Sequence, residues 1–176
     1  EAIQTLKNNG YEPFIATGRS SAETRDIMES ANIHSGIFMN GQVVLYRDQL
    51  VYSSEIPTET VEKFHQMVKE DGYGLTAYND KQFYLVASSP GAKDAYGFIH
   101  SNPPALNPDF YKENPINMML FISLPPAEEK YKVAFPNLDF LRNTPYSVDV
   151  ISKGNSKAEG IKRFLEHLNQ EDAKTY

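Results

Sequence analysis

The chain has no cysteine, which excludes disulfides and every thiolate metal site. No apolar run approaches the ~20 residues of a membrane span. The longest candidate, Met118 to Leu124, suits a buried strand. Positive charge is not in excess: 17 Lys and Arg stand against 23 Asp and Glu, a net charge of −6. That argues against nucleic acid or an anionic membrane surface as the main partner. A small anionic substrate stays open, because a local cation or a metal overrides the average. The P-loop spacing Gly-x-x-x-x-Gly-Lys-[Ser/Thr] is missing, as is a Gly-x-Ser-x-Gly elbow. There is no internal repeat and no low-complexity segment. The histidines, His34, His65, His100 and His167, lack metal-ligand spacing and read as surface or half-buried residues.

What is present describes a folded protein. Of 176 residues, 40% are hydrophobic and 23% charged, enough for one domain or two small ones. The 21 Tyr and Phe fall mostly at strand and helix-face positions; without a basic face they do not make a surface for stacking bases. Glu70-Asp71 and Glu128-Glu129 read as solvated helix positions.

The flanks share one style. Ala2, Ile3 and Leu6 lie on one helical face, stopped by Asn9-Gly10. Tyr11 to Ala16 reads as a strand. Ser20-x-x-Glu23 is a capping box opening a helix that turns Thr24, Ile27, Met28 and Ala31 inward. Gly36 to Met39 is a short apolar strand ended by Asn40-Gly41. Helix, strand, helix, strand with short joints favours a parallel sheet. Near the other end, Tyr146 to Ile151 reads as a strand running into Ser152-Lys153-Gly154-Asn155. Ser156 and Glu159 then make a second capping box, and the helix buries Ile161, Phe164, Leu165 and Leu168.

The middle is an α+β block rich in hairpins. Val43–Tyr46 with Leu50–Tyr52, and Leu75–Tyr78 with Phe83–Ala87, are the hairpin pairs. A helix opens at Pro57-Thr58 with Val61, Phe64 and Val68 inward. Further helices are expected over 92–100 and 126–135 and strands over 116–124 and 138–142, with 101–115 as loop.

Two strand-to-helix lips stand out. Thr17-Gly18-Arg19 offers a hydroxyl, a hinge and a guanidinium. Lys157 sits at a first helical position, where the partial positive charge of roughly +0.5 prefers acids. A lysine there is mildly unfavourable unless an anion is bound nearby. Such lips form the ligand crevice of a doubly wound sheet. Taken alone, each such loop is more often a plain helix cap than an anion site.

Ile15-Ala16-Thr17-Gly18-Arg19, then Asn40-Gly41 after a short strand, then Ser156-Lys157-Ala158-Glu159-Gly160-Ile161 opening a late helix, resemble the haloacid dehalogenase superfamily. More closely they resemble its Cof-type sugar-phosphatase branch, subfamily IIB. The resemblance implies an α/β fold: a partial, Rossmann-like core of parallel strands over 1–52 and 146–176, with an inserted α+β cap domain over 53–145. It implies catalytic roles for Thr17, which would hydrogen-bond the transferring phosphoryl group, and for Lys157, which would balance its charge. Gly18, Arg19, Asn40 and Gly41 would lie against the phosphate or substrate. The activity implied is Mg²⁺-dependent hydrolysis of a small phosphorylated metabolite in the cytoplasm, through an aspartyl-phosphate. The family's Asp-x-Asp and its acidic metal ligands are not among residues 1–176, so no metal ligand is expected in this chain. They are expected just upstream of Glu1 and just downstream of Tyr176, which would leave this stretch inactive by itself, with a gap in its sheet. A phosphomutase ranks lower, and a non-catalytic anion-binding protein on the same scaffold is the alternative.

Overall fold

The computed structural model describes residues 1–175. It divides into two compact units, Glu1–Ser54 with Gly154–Tyr176, and Glu55–Lys153.

The first unit contains α1 (Ala2–Asn8), β1 (Ile15–Ala16), α2 (Ser21–Ala31), β2 (Gly36–Phe38), β3 (Val43–Tyr46), β4 (Gln49–Ser53) and α7 (Lys157–His167). Its sheet runs β1-β2-β3-β4. β1 and β2 pair in parallel; β3 and β4 extend the sheet antiparallel, as the predicted hairpin requires. The sheet's core is Ile37 and Val44 under Phe164 of α7, whose ring lies 5.2 Å from Phe14 and 5.7 Å from Tyr46. Of the four residues expected to be buried on α7, Phe164 is; Ile161, Leu165 and Leu168 are half-buried, with Ile161 and Leu168 packed against the same cluster.

Three local expectations are corrected. The strand expected over 11–16 shortens to Ile15–Ala16. Gly10 takes a left-handed φ of 83°, Pro13 has no N–H to offer, and β2 is only three residues long. Ile27 is exposed: the buried stripe of α2 is Thr24 and Met28, four residues apart. β2 ends at Phe38, and Met39, Asn40 and Gly41 turn away with φ of 48°, 56° and 96°.

The second unit contains α3 (Thr58–Glu70), β5 (Gly74–Tyr78), β6 (Phe83–Ala87), α4 (Ala92–Phe98), α5 (Phe110–Glu113), β7 (Met118–Ile122), α6 (Glu128–Ala134), β8 (Leu138–Thr144) and β9 (Ser147–Ser152). Its five strands are antiparallel in the order β6-β5-β7-β9-β8. Alternation puts Leu75, Ala77, Met119, Phe121, Val148 and Val150 on one face, where Val61, Phe64 and Val68 of α3 and Tyr131 of α6 close the core. On the other face Tyr96 of α4 donates or accepts through its hydroxyl at 2.8 Å from Thr76 Oγ1.

β9 is the largest departure from the expected layout. The reading of the sequence returned to the first unit at residue 146. The structure keeps 146–153 in the second, because β9 is hydrogen-bonded between β7 and β8. The expected loop over 101–115 holds the short helix α5, which buries Phe110 and Tyr111. His65 is buried, its Nδ1 3.3 Å from the Tyr111 hydroxyl. Glu128 and Asp71 are not plain solvated acids. Glu128 is buried and receives Arg142 Nε and Nη2, each at 2.7 Å; Asp71 receives Lys130 Nζ and the Tyr131 hydroxyl.

Candidate functional site

The residues singled out in the sequence converge within the first unit. β1 delivers Thr17 to the end of the strand, where its N–H donates to the Ile37 carbonyl at 2.9 Å. The next turn is stitched to the turn after β2: Asn40 N–H donates to the Thr17 carbonyl at 3.1 Å, and Met39 N–H to the Arg19 carbonyl at 2.9 Å. Those bonds demand the left-handed backbone at 39–41, which asparagine tolerates and glycine takes freely. Gly18 permits the approach from the other side: a methyl group there would lie 3.1 Å from Asn40 Oδ1. The two loops therefore act as one body.

The third piece joins through Gly41. Its Cα faces the backbone of Ser156 so closely that a methyl group would lie 2.6 Å from the Ser156 carbonyl carbon. Ser156 is the N-cap of α7, and its Oγ accepts from Glu159 N–H at 3.1 Å. Only this half of the expected capping box forms. At α2 both halves form, between Ser20 and Glu23. Gly160, one turn into α7, lies with its Cα against Gly41 and Ile37, where a methyl group would overlap Ile37. Thus Thr17, Gly18, Asn40, Gly41 and the N-terminus of α7 form one continuous set of contacts.

The polar groups of this set point to anion chemistry. Thr17 Oγ1 accepts from Arg19 N–H at 3.1 Å, which leaves its own proton to donate elsewhere. Ser156 caps the Glu159 N–H, so the Lys157 and Ala158 N–H groups stay available at the positive end of α7. Lys157 is exposed, and no hydrogen bond or ion pair holds its ammonium among the described residues. Arg19 is also exposed; its backbone, not its guanidinium, is what the loop uses.

Reasoning from sequence missed two residues here. Gln42 is fully buried, and both polar atoms of its amide lack a partner. Asn155 ties the start of α7 to the end of β4: its Oδ1 accepts from Tyr52 Oη at 3.2 Å and Arg163 Nη1 at 2.8 Å, and its Nδ2 donates to Ser54 Oγ at 3.2 Å. Its place in Lys153-Gly154-Asn155-Ser156-Lys157 was the available signal, but two of its partners, Tyr52 and Ser54, lie about a hundred residues away.

The set does not fit a metal by itself. Among the described residues no three His, Asp or Glu side chains converge on a point that could hold an ion. Around Thr17 and Asn40 the donors are hydroxyl, amide and backbone N–H, which suit an anion rather than Mg²⁺.

This architecture, with a hydroxyl lip and a lysine-bearing helix start stitched by glycine contacts, defines an α/β scaffold with a candidate anion site. The chain belongs to the haloacid dehalogenase-like hydrolase family, whose model matches residues 1–176. It is 31% identical over 177 residues to YkrA of Bacillus subtilis (strain 168), which carries a provisional phosphatase name, covering all of this chain and 68% of that protein. Among solved structures, a hypothetical protein from Geobacillus kaustophilus HTA426 superposes with a TM-score of 0.88 at 26% identity, over 96% of this chain and 66% of that one. The subclass IIB sugar phosphatase BT4131 shares the fold, with a TM-score of 0.80 at 22% identity, again over 96% and 66%. The chain thus spans about two thirds of the length of these relatives. No helix among the described residues is long and apolar enough to cross a membrane.

Proposed function

We propose that residues 1–176 are part of a Mg²⁺-dependent, cytoplasmic phosphatase of small phosphorylated metabolites, sugar phosphates or similar. The nucleophilic Asp that takes the phosphoryl group, and the acids that hold Mg²⁺, lie outside this stretch. The observation that carries the reading is the junction of Thr17, Asn40-Gly41 and the α7 N-terminus. It gathers a hydroxyl, helix-end N–H groups and an ammonium that has no hydrogen bond or ion pair among the described residues.

In this role Thr17 Oγ1, already accepting from Arg19 N–H, donates its proton to a phosphoryl oxygen. Lys157 offsets the charge on the phosphoryl oxygens as a point cation, and the Lys157 and Ala158 N–H groups add the helix end. Gly18 keeps the loop wall low enough for the ligand to approach. Such positioning and charge stabilisation is most of what phosphoryl transfer asks of a protein. The Glu55–Lys153 unit is the cap domain of that enzyme and supplies the side chains that choose the ester.

The test is Mg²⁺-dependent phosphate release by the full-length protein from a panel of sugar phosphates, beside Lys157→Ala and Thr17→Val. Turnover that falls by at least 10²-fold in Lys157→Ala supports the reading. No turnover on any ester from a folded protein favours a non-catalytic anion-binding role on the same scaffold.

A further inference from the structure

The N-terminal turn of α7 is held in a closed ring of contacts that does not include the phosphate-facing groups themselves. Gly41 presses on the Ser156 backbone. The next residue, Gln42, accepts through its carbonyl from Ser54 N–H at 2.7 Å. Ser54 Oγ accepts from Asn155 Nδ2 at 3.2 Å. Asn155 precedes Ser156, and the ring closes. A second brace runs from the side: the Arg163 guanidinium lies 4.0 Å from the centroid of the Tyr52 ring, and both groups donate to Asn155 Oδ1.

We propose that Asn155 is a positioning residue for Lys157. Its amide ties the α7 start to Tyr52 of β4 and to Ser54 just after it, and it does so two residues before the lysine. A lysine on a four-carbon stem places its charge only as well as its own backbone is placed. The cap Ser156 fixes the first turn relative to the helix; the Asn155 ring fixes that turn relative to the sheet, where Thr17 stands. The Arg163–Tyr52 stack keeps the Oδ1 acceptor saturated, so the amide cannot flip and release Ser54. This inference rests on the phosphoryl-binding reading of Lys157.

The experiment uses the full-length protein, with p-nitrophenyl phosphate as the substrate and inorganic phosphate as the inhibitor. Asn155→Ala is expected to lower kcat about 10- to 100-fold with KM changed less than about threefold, the split expected when charge placement matters most in the transition state. Ser54→Ala, which removes one hydroxyl, lowers kcat in the same direction by about 3- to 10-fold and guards against a folding defect in the first variant. The decisive reading is the double mutant. If Asn155 acts through Lys157, Asn155→Ala costs less than about twofold further in a Lys157→Ala background, both in residual kcat and in the phosphate inhibition constant. An equal loss in both backgrounds makes Asn155 merely structural and overturns the inference. So does a lysine-dependent activity that Asn155→Ala leaves unchanged. Activity left undiminished by Lys157→Ala overturns the role of Lys157 and this inference with it, while the absence of turnover on any ester is what would overturn the phosphatase reading itself.

Discussion

Gly41 and Ser156 meet backbone to backbone, so closely that no side chain larger than hydrogen fits at position 41. Residues about 115 apart in the chain are thereby locked where the candidate site is built. Gly41→Ala adds a clash to a φ of 96°. The combined cost is expected at about 2–4 kcal/mol, from overpacking and the left-handed backbone. Urea unfolding measures it; an unchanged midpoint would show that the two backbones separate easily.

Gln42 presents the opposite case. Its buried amide has no partner for either polar atom, and a buried unsatisfied group costs about 1–3 kcal/mol. Gln42→Met keeps the volume and removes the polarity, so it should raise stability by about 1 kcal/mol, read as a higher melting temperature. A fall instead would mean that ordered water satisfies the amide.

Arg142 and Glu128 form the best-buried ion pair among the described residues, with side chains 19% and 9% exposed. Arg142 also donates through Nη1 to the carbonyls of Ser123 and Pro145, at 3.0 and 3.1 Å. Arg142→Ala strands the Glu128 carboxylate and releases both loops. A loss of about 3–5 kcal/mol is expected. Replacing both partners, as Arg142→Met with Glu128→Leu, should recover much of it, and chemical denaturation of the single and double variants decides.

Acid should destabilise the protein in two stages. Burial, with Lys69 nearby, pushes the His65 pKa below its ordinary 6.5. Its unfolded form therefore binds a proton first, and stability falls as pH drops from 6.5 toward the lowered folded value. Hydrogen bonds from Arg142 hold Glu128 below its ordinary 4.5, and those from Lys130 and Tyr131 hold Asp71 below 3.8. Stability they contribute is present above those ordinary values and is lost as pH falls through the folded ones. Melting temperatures from pH 7 to 3 should show both limbs; His65→Gln should erase the upper one and Glu128→Gln flatten the lower.

Arg19→Ala separates backbone from side chain. The loop uses the Arg19 N–H and carbonyl, which alanine keeps. Stability should change by less than about 0.5 kcal/mol, as at an ordinary surface position. Any loss of phosphate affinity, measured by inhibition with inorganic phosphate, is then the guanidinium's own.

Much of this molecule is legible in the sequence because its signals are local. The capping box at Ser20, the stripe of Val61, Phe64 and Val68, and the hairpin at Asn79-Asp80 each carry their partners within a few residues. Thr17, Asn40 and Lys157 stand out as a set through their family likeness, and as a candidate site through the odd cation at a helix start. What escaped depends on distant partners. β9 alternates in a way that suits either sheet, and only its bonds to β7 and β8 assign it. Glu128 looks solvated until Arg142, fourteen residues on, folds over it. Asn155 reads as loop filler until Ser54 and Tyr52 are beside it.

The bond between Ser54 and Asn155 also says something about modularity. Residue 54 is where the chain leaves the first unit and 155 is just after its return, so the intervening stretch enters and exits through one doorway held by a single amide. Insertions are best tolerated where the two ends already lie close. Residues 55–153 are therefore a removable cassette: a few glycines could bridge Ser54 to Gly154 without stretching the fold they close. Such a module can be exchanged or removed while the contacts among Thr17, Asn40, Gly41 and Ser156, all within the first unit, keep their places.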